Sequence, residues 1–362
     1  MRLAGATLLA LAALAAPASA DTVAHRTPAV GPAFAGDRVA WGEETKAGGL
    51  RILAGSPAAR PRVLGRVKAP TARKTDRSFF HTPWAFSASP TRLAAIVLTN
   101  TITSEGSDFV GTSSVPAAIG GPLSEPPRLL AGSSPPRAAK GCRGAYRSPQ
   151  SVAVDGSRIA LLSRVGTCGT PGSRTEIAIL EGSGQRAITV DAGGPVVKFR
   201  FAGPYVAWDD EAEGHTLVVH DYERGVEIAR ESRFAIDDFD LAADGTVALT
   251  YADGPRDRRV AVLSPGRPGL RVLDRDVASR GVALAGGRVL YERLGRRDFH
   301  SRLMLRRVDG GAARRLARFT PTRRRVGDLD LSRGRAAWAA QRTRRGYDGA
   351  PRGPARIVAR RL

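Results

Sequence analysis

Cysteine, lysine and asparagine are all scarce in this chain, and each scarcity narrows what it can be. Two cysteines in 362 residues, Cys142 and Cys168, leave no multi-cysteine zinc framework. The five histidines, His25, His81, His215, His220 and His300, are scattered, and none stands in a His-Glu-x-x-His or other zinc spacing. No Gly-x-Ser-x-Gly elbow, P-loop or strand-to-helix Gly-x-Gly-x-x-Gly occurs, so a hydrolase triad and a phosphate cradle have no anchor. Ala242-Ala-Asp-Gly-Thr-Val247 only echoes a sialidase-type Asp box and reads better as a strand turn. Five lysines stand against 51 arginines, and Asn100 is the only asparagine. Both scarce residues use AT-rich codons, which points to a GC-rich bacterial genome. Part of the net charge of +22 therefore reflects codon supply and does not by itself argue for a nucleic-acid partner.

No apolar run after residue 20 resembles a membrane span. Residues 1–20 have the form of an export signal: Arg2 is a short positive start, Leu3 to Leu14 an apolar stretch, and Ala18-Ser-Ala20 a small-x-small cleavage site. The apolar stretch is too short to cross a bilayer comfortably, which leaves Asp21 as the expected mature N-terminus. No cysteine follows it to carry a lipid. Export to an oxidising compartment makes a Cys142–Cys168 disulfide the default, closing a loop of about 26 residues for roughly 3 kcal/mol. A two-cysteine metal site is the alternative, but no His or further Cys lies nearby.

What the chain has in quantity is turn-formers, Gly 41 and Pro 24, spread between short apolar runs. Phe199-Arg-Phe-Ala-Gly-Pro-Tyr-Val-Ala-Trp208 sets the pattern: an alternating run, a Gly turn, then an apolar run ending in an aromatic. It recurs with centres near Val39, Ala94, Ile159, Val206, Val247, Val289 and Ala336, about 40 to 65 residues apart. Seven repeats of short strands at that period predict an all-β chain, one seven-bladed β-propeller of four-stranded antiparallel blades over residues 21–362. Blade seven runs out after three strands, and Thr22–His25 is the expected donor of its fourth, so the first and last segments close the ring together. Thr99 to Pro127, rich in Ser, Thr, Gly and Pro, reads as an insertion loop in blade two. Ser133 to Ser148 reads as an irregular linker that carries Cys142.

Gly36-Asp-Arg-Val-Ala-Trp41, Gly287-Arg-Val-Leu-Tyr291 and Gly334-Arg-Ala-Ala-Trp338 share a Gly turn feeding an apolar strand with an aromatic end. With following strands such as Leu217-Val-Val-His-Asp221, the chain resembles the TolB-type and WD-like exported bacterial propellers. The WD signature itself is missing, since Trp208-Asp209 has no upstream Gly-His partner. The resemblance implies a platform for binding proteins or ligands and no particular reaction.

Two groups of residues are candidate sites. Inner strands line a propeller's channel, so Asp238 and Asp240 of blade five, with Asp328 and Asp330 of blade seven, are expected at its mouth near Lys198, Arg200 and Arg280. Such carboxylates either position a ligand or cation or are simply paired with arginine. The second group follows from uneven charge. Residues 191–280 carry 12 Arg or Lys against 17 Asp or Glu, whereas residues 281–362 carry 22 against 6. Arg293, Arg296, Arg297 and Arg302 fall in one connection of blade six. Arg323, Arg324 and Arg325 lead into blade seven, where Arg342, Arg344, Arg345 and Arg352 fill a connection with Tyr347. Together with Arg73, Lys74 and Arg77 they form a basic sector on one face, opposite Asp209-Asp-Glu-Ala-Glu213. The expected function is an exported, non-enzymatic binding or scaffold module, secreted, periplasmic or bound to the envelope. Its basic face would recognise an anionic envelope polymer or a protein partner. An enzyme or a small-ligand or metal site at the channel mouth is the competing reading. Nothing calls for a cofactor or metal; aromatic interleaving for nucleic acid is sparse, and a monomer is expected.

Overall fold

The computed structural model describes residues 21–362 except 27–29, 47–48, 58, 68–76, 106–107, 133–144, 168–172, 182–183, 192–194, 212–213, 233–234, 255–256, 296–299, 320–324, 333 and 344–350. These residues form seven four-stranded antiparallel sheets, arranged as a seven-bladed β-propeller without helices. Strand β1 (Asp21–Arg26) is the outermost strand of blade 7. Blade 1 is β2 (Val30–Ala35), β3 (Arg38–Glu44), β4 (Leu50–Ser56) and β5 (Ala59–Val67). Blade 2 is β6 (Arg77–Ala88), β7 (Arg92–Glu105), β8 (Asp108–Pro122) and β9 (Arg128–Gly132), and blade 3 is β10 (Ala145–Asp155), β11 (Arg158–Thr167), β12 (Ser173–Glu181) and β13 (Gly184–Asp191). Blade 4 is β14 (Val196–Ala202), β15 (Tyr205–Asp210), β16 (Thr216–Asp221) and β17 (Val226–Ser232). Blade 5 is β18 (Ile236–Leu241), β19 (Val247–Ala252), β20 (Arg258–Leu263) and β21 (Arg271–Arg275). Blade 6 is β22 (Val277–Ala285), β23 (Arg288–Leu294), β24 (Ser301–Arg307) and β25 (Gly310–Phe319); β26 (Arg325–Ser332), β27 (Arg335–Thr343) and β28 (Pro351–Arg361) complete blade 7.

The second strand of each blade is apolar because it is buried on both faces. Val39–Trp41, Leu93–Val97, Ile159–Leu162, Val247–Leu249 and Val289–Tyr291 all lie in the core. Packing then joins neighbours only: each of the seven blade-to-blade interfaces has its own apolar cluster. The last of these, between blades 7 and 1, sets Val23 and Ala24 of β1 with Ile357 and Ala359 against Phe34, Val39 and Trp41. The ring is thus sealed by the N-terminal strand, which pairs with β28 from Asp21↔Ala359 to Arg26↔Ala355. Among the described residues no helix is long and apolar enough to cross a membrane.

Blade 2 departs from the sequence reading. Residues expected as an insertion loop continue β7 and form β8, paired without a break in chain from Arg92↔Pro122 to Glu105↔Asp108, with one register shift. Ser and Thr there were read as loop-formers, but Thr, Val and Ile are also favoured in strands once a partner strand is present. At about 3.3 Å per residue the 14-residue β7 is more than twice as long as the six-residue β15. The hairpin therefore rises above the disc on the face where inner strands begin. The following linker is also shorter than expected: residues 145–148 belong to β10.

Arginine forms a repeated clasp between blades. Arg158 opens the second strand of blade 3 and donates to the Gly203 carbonyl in the turn of blade 4 at 2.8 Å, with its guanidinium 5.2 Å from the Phe201 ring centre. Arg335 stands at the same place in blade 7. It donates to the Gly36 and Asp37 carbonyls of blade 1 and sits 5.1 Å from the Phe34 ring. The turn must come close: Gly203 has φ 57°, and a Cβ there would lie 2.8 Å from the Ala243 carbonyl oxygen. Replacing Arg335 with Ala removes two hydrogen bonds and a cation–ring contact, an expected loss of about 2 kcal/mol by urea denaturation. Lysine at 335 should recover less than half, because its ammonium cannot fork to two carbonyls while stacking. Full recovery by lysine would mean that charge alone matters there.

Candidate functional site

All seven inner strands carry a register shift against their second strands. In blades 2 to 5 it falls three residues before one lumen-facing position: Ser87, Ala153, Arg200 and Asp240, matched in blades 6, 7 and 1 by Ala283, Asp330 and Ala33. Bulges bend and twist a strand, which suits strands converging on an axis.

Where that position is polar, it reaches the next blade. Ser87 Oγ accepts from the Val154 N–H of blade 3 at 2.9 Å, and Asp240 Oδ2 from the Leu284 N–H of blade 6 at 2.7 Å. Asp330 Oδ2 accepts from the Phe34 N–H of blade 1 at 2.5 Å. All three donors occupy the same register position. Asp330 Oδ1 also accepts from the Leu331 N–H at 2.8 Å. In blade 4 the position is Arg200, which lies 3.4 Å from Asp238 and 3.6 Å from Asp240 and stacks 5.6 Å from the Phe239 ring. Lys198 adds a 3.5 Å contact to Asp238 and donates to the Asp237 carbonyl. Asp238 Oδ2 accepts from the Gly281 N–H at 3.0 Å, and Asp237 pairs with Arg258 at 3.1 Å.

The structure therefore brings Lys198, Arg200, Asp238, Asp240 and Asp330 into one channel group. Burial raises the Asp330 carboxyl to about 7, helped by the charge of Asp240, against the Phe34 and Leu331 N–H groups and Arg200. Asp240 is likewise raised by burial and held back chiefly by Arg200. A quarter of the Asp240 side chain (25%) remains open, but that opening faces an enclosed channel, so the desolvation stands. Both oxygens of Asp238, Asp240 and Asp330 already face donors. Asp328 lies in β26, and its side chain and that of Arg280 fall outside the described residues. Among the described residues no three His, Cys, Asp or Glu side chains converge as metal ligands.

A second buried carboxylate was missed. Asp209, 1% exposed, faces His215 Nδ1 at 3.1 Å, and His215 has φ 65°. Burial raises Asp209, and the His215 hydrogen bond opposes this. The sequence showed only an acidic run there.

Of the basic candidates, Arg293 is described and lies 3.6 Å from Asp274. Arg325 and Arg342 are placed in β26 and β27 by backbone alone. Arg296, Arg297, Arg323, Arg324, Arg344 and Arg345, like Cys142 and Cys168, lie outside the described residues. Other described arginines of the same sector fall into three kinds. Arg51 and Arg307 hold Glu43 and Asp309 at 2.7 and 2.5 Å. Arg335, Arg306 and Arg360 grip backbone carbonyls of neighbouring blades, and Arg356 donates to Thr22 Oγ1 at 2.5 Å. Arg60, Arg62 and Arg66 on β5, with Arg314 and Arg315 on β25 and Arg361, are exposed and form no ion pair among the described residues. In blades 3 to 5 Arg147 and Arg174 share Glu176 at 2.6 Å, Arg230 holds Glu227 at 2.7 Å and Arg259 holds Asp253 at 2.6 Å, while Arg224, Arg267, Arg271 and Arg275 are exposed and form no ion pair among the described residues. Outer-strand arginines are hard to find in sequence, because alternation marks them only as exposed.

Comparison with known proteins bears on the fold. No family model and no curated protein matches the sequence. Among solved structures the chain is similar to Pyrococcus horikoshii acylaminoacyl peptidase, at 12% identity and TM-score 0.52, covering 94% of this chain and 52% of that one. The WD40 domain of Toxoplasma gondii coronin matches at 13% identity and TM-score 0.50, over 95% and 86% of the two chains. TolB from Acinetobacter baumannii matches more loosely, at 13% identity and TM-score 0.40, over 76% and 62%. The chain thus spans about half the peptidase's length and less than two thirds of TolB's. What the fold and its channel define is a seven-bladed propeller whose lumen charges tie its own blades together.

Proposed function

We propose that this chain is an exported, non-enzymatic binding module that recognises an anionic envelope polymer through blades 6, 7 and 1. The observation that carries this reading is the density of exposed guanidiniums in a sector poor in carboxylates. Residues 281–362 hold 22 Arg or Lys against 6 Asp or Glu, and Arg60, Arg62, Arg66, Arg314, Arg315 and Arg361 are exposed with no carboxylate partner among the described residues. Free guanidiniums on the outer strands of blades 1 and 6, on either side of blade 7, favour a long ligand with repeated phosphate or carboxylate groups, and they bind it bidentately. The apolar segment before Ala18-Ser-Ala20 supports export. Chemistry at the channel mouth is disfavoured, because the described lumen carboxylates are already engaged by backbone N–H groups and Arg200.

Polyphosphate binding by the chain from Asp21 tests the reading. Affinity should fall by more than about tenfold between roughly 50 and 200 mM salt if several contacts release counterions. Serine at Arg62, Arg66, Arg314 and Arg315 should abolish most of that slope. Serine at four paired arginines, Arg147, Arg174, Arg230 and Arg259, should change it little. Equal losses from the two sets would assign binding to net charge and defeat the sector. Salt-independent retention of an acidic protein from envelope extract, with no polyphosphate binding, would replace the polymer with a protein.

A further inference from the structure

Most open edges of the blades are guarded by charge, and the least guarded lie in blade 2. Outer strands of a propeller expose unpaired N–H and C=O groups, and charged residues keep such edges from pairing with other chains. Arg60, Arg62 and Arg66 mark β5; Glu227, Arg230 and Glu231 mark β17; Arg271, Asp274 and Arg275 mark β21; Arg314, Arg315 and Arg318 mark β25. Strand β13 carries Arg186 and Asp191, and β1 carries Asp21 and Arg26. In blade 2 the outer strand β9 covers β8 only from Ala117 to Gly120. Its neighbour β7 pairs with the whole of β8. Asp108–Pro116 is therefore a second open edge, and among the described residues no strand lies along it. From Phe109 to Pro116 it holds no charged residue, in a chain with 51 arginines.

We infer that this edge pairs with the same edge of a second copy, joining two blade 2 sheets about a two-fold axis. Charge selects that occupant. Residues 77–132 hold three arginines and three carboxylates, so blade 2 is neutral in a chain of net charge +22. The other outer strands all hold charged residues, and β9, beside this edge in the same blade, holds only Arg128. The edge is also self-complementary. β8 shifts register between its pairings with Thr103 and Ser104, which leaves Gly111–Val115 as the regular stretch below the shift. Antiparallel pairing about Ser113 places Thr112 opposite Ser114 of the second copy on both sides of the axis, so the backbone register repeats itself under the two-fold. Pro116, which has no N–H, ends the pairing, and proline within a strand belongs at an edge.

The test is sedimentation of the chain from Asp21 over about 1 to 200 µM at high salt, where repulsion between the two charged bodies is screened. A monomer–dimer equilibrium is expected, strengthened by salt, the opposite of polyanion binding. Ser113→Lys should weaken it at least tenfold without moving the thermal midpoint, whereas Arg62→Ser and Arg66→Ser together should not weaken it. Amides of residues 111–115 should gain protection from hydrogen exchange as concentration rises. A monomer throughout the range, a Ser113→Lys variant that associates like the parent, or protection already complete in the dilute monomer would each overturn the inference. The last outcome would mean that the chain covers its own edge.

Discussion

A chain that begins at Thr27 should melt at least about 10 °C below one that begins at Asp21, and should aggregate on heating. The six residues removed are the fourth strand of blade 7. Their loss takes away Val23 and Ala24, 6% and 8% exposed in the intact fold, and opens the cluster around Phe34, Trp41 and Ile357. Burying one valine is worth about 2 kcal/mol, and the ladder to β28 and the Arg356–Thr22 contact add to it. A total near 5 kcal/mol is comparable to the net stability of an ordinary domain. The second consequence is an edge. Without β1, β28 presents Ile357, Val358 and Ala359 on an open strand, which invites pairing with other chains. Calorimetry of the two chains, followed by light scattering during the scan, reads both effects. An unchanged midpoint would show that the ring is sealed by side-chain packing between blades 7 and 1 without the strand. Val23→Asp in the longer chain gives an independent reading, because it keeps the backbone ladder and removes only the apolar plug.

The sequence made that closure legible because periodicity is local. A Gly turn, an apolar strand and an aromatic end repeat within about ten residues, and seven copies with three strands left at the end require a donor. The long hairpin of blade 2 was not legible, since Thr99 to Pro127 has the composition of a loop, and its residues in β7 and β8 become strand only through pairing with each other. The clasps were half legible. Gly156-Ser-Arg158 and Gly334-Arg335 stand in plain view, but the carbonyls they grip belong to the next blade, about 45 residues on for Arg158 and across the ring closure for Arg335. The lumen carboxylates were legible by position, with arginine pairing as one of two readings, and only their backbone partners were hidden. Backbone N–H groups leave no trace in sequence, and Leu284 and Phe34 give no sign of donating to Asp240 and Asp330.

Those lumen carboxylates carry the second large prediction. Stability of the parent should fall as pH rises from about 4 to about 7, and Asp330→Asn should flatten that fall. The direction follows from linkage. Burial lifts Asp330 from 3.8 in the open chain to about 7 in the folded one, so the native state holds this proton more tightly. The stabilisation that protonation confers is complete below the unfolded value and is lost as pH climbs through the folded one. With part of the shift offset by relaxation of the channel, about 3 kcal/mol is at stake. Asparagine keeps one acceptor for the Phe34 N–H but faces the Leu331 N–H with an amide, so the variant should be about 1 kcal/mol weaker at pH 4.5. Above pH 7.5 it should be the more stable of the two. Asp240→Asn acts on the same carboxyl from across the channel. Removing its charge lowers the pKa of Asp330 and moves the fall in stability to lower pH. Urea unfolding of the three chains from pH 4.5 to 8 gives the curves, and carboxyl carbon NMR assigns the titration. Parallel curves for parent and Asp330→Asn would mean that Asp330 is ionised throughout, and that the bond to Phe34 is a charged clasp holding the last blade to the first.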